Sequence, residues 1–86
     1  MLTTFFGFSQ KKELRSAEKR LDEGFYNEAL DILSQVEGLI SSSDQKYQAQ
    51  YYYLLGWAEK GDNNFNNAIP NLRKAIDLDK LNKYKQ

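Results

Sequence analysis

Apolar residues recur every three or four positions along four stretches of this chain. Leu14, Ala17 and Leu21 form the first stripe, and Ala29, Leu33, Val36 and Ile40 the second. Tyr47, Tyr51, Leu54, Leu55 and Ala58 form the third, and Ala68, Ile69, Leu72, Ala75 and Ile76 the fourth. Such intervals put side chains on one face of an α-helix, whereas a strand alternates every two. The pattern predicts helices over 10–23, 26–40 and 44–60, and a fourth starting near Phe65. Gly24 ends the first, because glycine accepts the left-handed backbone that helix ends use. Ser41-Ser42-Ser43-Asp44 is a polar connector rich in N-cap residues, and Gly61-Asp62-Asn63-Asn64 is a turn by composition. Pro70 falls early in the fourth helix and off its stripe, which predicts a gentle kink rather than a break.

The four stretches are two copies of one pattern. Gly24–Val36 aligns with Asn63–Ala75 at a constant offset of 39 residues. Tyr26 falls on Phe65, Asn27 on Asn66, Ala29 on Ala68, Leu30 on Ile69 and Leu33 on Leu72. Ala17 falls on Gly56 at the same offset. Aromatic, small and branched positions therefore agree in order, the mark of a helical repeat.

Tyr52, Leu55-Gly56, Phe65, Ala68 and Leu72 give the second copy a specific likeness: it resembles a tetratricopeptide (TPR) unit. The first copy keeps Gly24, Tyr26, Ala29 and Leu33 but has Ser16-Ala17 in place of Leu-Gly. Glu59 stands where the pattern has its second aromatic, and Lys80 where it has its closing proline. The period also exceeds the family's usual length, and Ser41–Gln45 absorbs the excess as a longer turn. The resemblance implies an all-α fold of two antiparallel helix-turn-helix units, stacked as a short right-handed superhelix. Small Gly56 and Ala68 would let the paired helices approach, with Tyr52, Leu55, Phe65 and Leu72 around that contact. Residues 10–43 and 44–79 would be the units, flanked by an arm (1–9) and a tail (80–86). A generic four-helix bundle is the other reading.

The resemblance also implies a site. In TPR proteins the first helix of each unit lines a concave groove that holds partner peptides. The matching positions here are Gln50, Tyr53, Trp57 and Lys60, with Lys11, Leu14 and Glu18 as the neighbouring stripe. Tyr53 and Trp57 are four apart and share a helix face; aromatic anchors of this kind dominate many interfaces. The competing reading packs both rings on the next repeat or on Phe5, Phe6 and Phe8. TPR units that clamp acidic C-terminal tails use Lys and Asn where this chain has Tyr53 and Trp57, so that clamp is not expected.

Composition removes most chemistry. Among 86 residues there is no cysteine and no histidine, so thiol nucleophiles, thiolate metal sites and imidazole bases are excluded. Carboxylate pairs such as Asp22-Glu23 and Asp77/Asp79 lie at helix ends beside Lys or Arg, as solvated charges do. Asp62–Asn67 lacks the spacing and closing acid of a calcium loop. Twelve basic and twelve acidic side chains cancel and intersperse, which offers no electrostatic footprint for nucleic acid. No apolar run reaches the length of a membrane span. The expectation is a non-catalytic interaction module or scaffold without cofactor or metal, whose partner is a protein or peptide. Its alternative is a structural segment of a larger or self-associating helical-repeat assembly.

The ends carry two further expectations. Met1–Ser9 is apolar and uncharged and then turns polar at Gln10-Lys11-Lys12-Glu13. It reads either as an arm folded onto an open helix face or as the remnant of a signal peptide lacking its basic start. The second reading places the protein in the bacterial periplasm or outside the cell, the first in the cytoplasm. Repeats bury their faces on their neighbours, and three are usually needed. With two, the chain is expected to be a piece of a longer repeat protein, a homo-oligomer, or a pair capped by 1–9 and 80–86; its ends favour the first.

Overall fold

The structure is a computed structural model that describes residues 10–79. The expectations for 1–9 and 80–86 lie outside the described residues. Four α-helices follow one another: α1 (Gln10–Asp22), α2 (Tyr26–Ile40), α3 (Gln45–Gly61) and α4 (Phe65–Leu78). No strand occurs among the described residues, and the fold is all-α, as the stripes predict. α1 and α2 form one antiparallel hairpin, α3 and α4 a second, and α3 packs on both α1 and α2.

The two hairpin turns are the same object built twice. In the first, the Phe25 N–H donates to the Arg20 carbonyl at 2.8 Å and the Gly24 N–H to Leu21 at 3.0 Å. In the second, Asn64 donates to Glu59 at 2.7 Å and Asn63 to Lys60 at 3.0 Å. Each partner is displaced by the repeat offset. This pair of bonds is the Schellman closure, which satisfies the last carbonyls of a helix and needs a left-handed residue between them. Gly24 takes that conformation at φ +83° and Asn63 at φ +64°. Asparagine is one of the few side-chain-bearing residues that adopt it readily, which explains how the repeat survives the exchange of Gly for Asn.

Packing departs from this symmetry. The core is drawn from α1, α2 and α3: Leu14, Ala17, Leu21, Ala29, Leu33, Val36, Ile40, Tyr51, Leu54 and Ala58. Leu14, Leu33 and Leu54 are fully buried, and each contributes about 2 kcal/mol by its removal from water. α4 touches α3 alone among the described helices. It lies close because Gly56 has no side chain: a β-carbon there would sit 2.6 Å from Leu72 Cγ and 3.2 Å from the Ala68 carbonyl. Ala29, Gly56 and Ala68 are all buried, as the nesting of the helix pairs requires.

Position 20/59 ties first helix to second in both hairpins by different chemistry. Arg20 pairs with Glu28 of α2 at 3.1 Å, and the Asn71 side-chain amide of α4 donates to Glu59 at 2.7 Å. Glu59 thus holds α4 by a hydrogen bond. The Ser41–Asp44 connector is also braced differently from expectation. Asp44 stands at the α3 N-cap without a side-chain cap bond. Instead the Gln48 amide donates to the Ser43 carbonyl at 2.9 Å, and the Ser43 hydroxyl to Leu39 at 2.7 Å. α4 continues through Pro70 to Leu78. Pro70 is exposed, and so is Asn66, whose carbonyl loses its helical donor there.

Candidate functional site

The three consecutive tyrosines of α3 point about 100° apart and take three separate roles. Tyr51 turns into the core and is only 5% exposed. Burial, followed by the charges of Glu37, Tyr52 and Glu59, pushes its phenol up to about 12. It is a packing residue of the core. Tyr52 faces the second helix of its hairpin, as expected, with the Lys74 ammonium of α4 at 4.6 Å from its ring centre. It also meets Tyr51 edge-on at 5.0 Å. Tyr53 pairs with Trp57 one turn later at 5.9 Å between ring centres, tilted by 56°.

Tyr53 and Trp57 are half-buried and pack against the α1–α3 core on one side. Each ring is thereby held in place while part of it stays accessible, the condition for a preorganised aromatic contact. Lys60 is exposed and Gln50 half-buried on the same helix. On α1, Lys11 and Glu18 are exposed. Leu14 corrects the expected groove: it is 0% exposed and belongs to the core, on a helix that packs against both α2 and α3. The structure therefore brings together the α3 members Tyr53 and Trp57 and removes Leu14 from any surface.

α4 carries a second apolar surface. Phe65, Ile69 and Ile76 of α4 are 50%, 52% and 38% exposed, although their spacing reads as a core stripe. Their counterparts in α2 show why. Tyr26 packs on the backbone of Gly61, and Leu30 lies against the core, because α3 covers α2. Among the described helices, none covers α4 in the same way. Phe65 accordingly stands half in solvent instead of filling space beside Gly56.

Among the described residues no group of His, Cys, Asp or Glu could hold a metal ion, and no described helix is long and apolar enough to cross a membrane. Around Lys11, Lys12, Arg15 and Ser16 the surface of α1 forms an open basic depression. No protein-family model matches the chain, and no curated protein and no solved structure matches it either.

Proposed function

We propose that this protein is a TPR-like helical-repeat module that binds a peptide or protein through the first-helix face of its second hairpin, without catalysis. The observation that carries the reading is the Tyr53–Trp57 pair: two aromatic rings fixed against the core and partly open to solvent. Rings already immobilised lose little entropy when a partner packs on them. Lys60 and Gln50 beside them supply polar contacts for a peptide backbone or an acidic side chain. The turn that recurs bond for bond at the repeat offset supports the repeat character. A chain without histidine or cysteine has few means of acid–base or nucleophilic chemistry.

Trp57 is the single tryptophan, so its fluorescence reports the site directly. Peptides selected from a random library on the 86-residue chain should shift Trp57 emission on titration. They should lose at least tenfold in affinity on Tyr53→Ala, with unchanged helical circular dichroism. Peptides that bind without moving the emission, or bind Tyr53→Ala equally well, place the contact elsewhere and remove this reading.

A further inference from the structure

Charge is sorted by helix in this chain. The charged side chains of α2 are Glu28, Asp31 and Glu37, all acids. α1 carries Lys11, Lys12, Arg15, Lys19 and Arg20. Arg20 is taken up by Glu23 and Glu28, each at 3.1 Å. Lys11, Lys12, Arg15 and Lys19 are all exposed. At 3.6 residues per turn they fall within about 100° of the helix circumference and along about 12 Å of its axis. Glu13 and Glu18 lie outside that arc, and the first acid inside it is Asp22, at the end of the helix. Among the described residues, Lys11, Arg15 and Lys19 enter no ion pair.

The repeat shows that a cation is not the default at these positions. Lys12, Arg15 and Lys19 match Tyr51, Leu54 and Ala58 at the offset of 39 residues, and those three belong to the core. No described helix covers α1 on this side, so polar replacements are expected there. Solubility alone asks for polar groups of either sign, and the chain holds as many acids as bases. All three replacements are nevertheless cations. At one end of the face, Lys11, Lys12, Arg15 and Ser16 line the open depression, where ammonium, guanidinium and hydroxyl donors border the same space. Clustered charge of one sign draws partners of the other.

The sequence that leads into this face selects the partner. Residues 1–9 contain Leu2, Phe5, Phe6 and Phe8 and no charged side chain. A soluble polyanion gains little from large apolar side chains, whereas a bilayer surface takes them up between headgroups and acyl chains. Apolar insertion and a basic patch are each weak alone and together give stable attachment. We propose that this protein attaches peripherally to anionic membranes through α1 and the residues before it. Lys12, Arg15 and Lys19 meet the anionic headgroups, and the apolar side chains of 1–9 enter the interface. The acids of α2 are repelled by the same surface, which orients the molecule with α1 toward the lipid. The contact does not use Tyr53 and Trp57, so either surface can fail its test while the other passes. Lys11 borders both and is left unchanged in the variants below.

Co-sedimentation of the full chain with lipid vesicles tests this. The protein should bind phosphatidylcholine vesicles containing roughly a third phosphatidylserine, and bind phosphatidylcholine alone on the order of tenfold more weakly. Raising sodium chloride from roughly 0.05 to 0.5 M should weaken the attachment, as screening requires. Arg15→Glu combined with Lys19→Glu should lower affinity on the order of 25-fold, at about fivefold for each cation removed. Helical circular dichroism should not change, because both side chains are exposed. Lys60→Glu combined with Arg73→Glu alters net charge equally at exposed sites of α3 and α4 and should leave binding within about threefold. Phe5→Ser combined with Phe6→Ser should cost roughly tenfold. Soluble polyglutamate should bind far more weakly than the vesicles. Failure to bind anionic vesicles, equal binding to neutral ones, or equal losses in the two charge variants would each overturn the proposal. So would polyglutamate binding as tight as the vesicles', or vesicle binding that survives the loss of both phenylalanines; either result assigns the α1 face to a soluble acidic partner instead.

Discussion

The Tyr26 ring of α2 lies directly against the backbone of Gly61, the last residue of α3, so that a β-carbon at Gly61 would fall on the ring. This contact joins one hairpin to the other, and α2 and α3 can meet there only because position 61 has no side chain. Gly61→Ala forces the ring or the helix end to move, which costs about 1–3 kcal/mol as overpacking does. Tyr26→Leu makes room, so the alanine should cost less in that background. A double-mutant cycle by urea denaturation measures the coupling; strictly additive losses would mean that the two residues do not press on each other.

Two other glycines should respond in opposite directions to the same substitution. Gly38 is exposed inside α2, and nothing stands within 4 Å of a β-carbon placed on it. Gly38→Ala should stabilise by about 0.5–1 kcal/mol, because alanine loses less backbone freedom on entering a helix. Gly56→Ala meets Leu72 Cγ at 2.6 Å and the Ala68 carbonyl at 3.2 Å and should destabilise by about 1–3 kcal/mol. Thermal unfolding of both variants checks the sign. Gains at both positions would show that α3 and α4 have slack between them.

The four helices were legible because their stripes keep helical spacing, and the repeat because small and aromatic positions recur in order. Tyr26–Ile40 forms with the expected bounds. Leu14 shows where this reasoning stops. It belongs both to the apolar stripe of α1 and to the expected groove register, and only the packing of α3 on α1 decides between them. Phe65 and Ile69 show the same limit from the other side. Periodicity identifies residues that share a face, but whether another helix covers that face depends on contacts distant in sequence. Asp44 adds a local case: a residue of the right type stands at the N-cap, yet Gln48 braces the connector instead.

Tyr51 links the core to alkaline pH. Burial first, and then Glu37, Tyr52 and Glu59, raise its folded pKa from 10.0 to about 12. In the unfolded chain the phenol ionises near 10, so between these values the folded state holds a proton that the unfolded state has released. The unfolded state then binds fewer protons, and stability falls as pH rises. The contribution is whole below pH 10 and is lost progressively up to about pH 12. Urea midpoints measured across that window should decline in the native sequence and decline less in Tyr51→Phe, which keeps the buried ring and removes the titrating group. Equal slopes for the two proteins would mean that Tyr51 ionises in the fold as freely as in the open chain, and that its burial among α1, α2 and α3 is wrong.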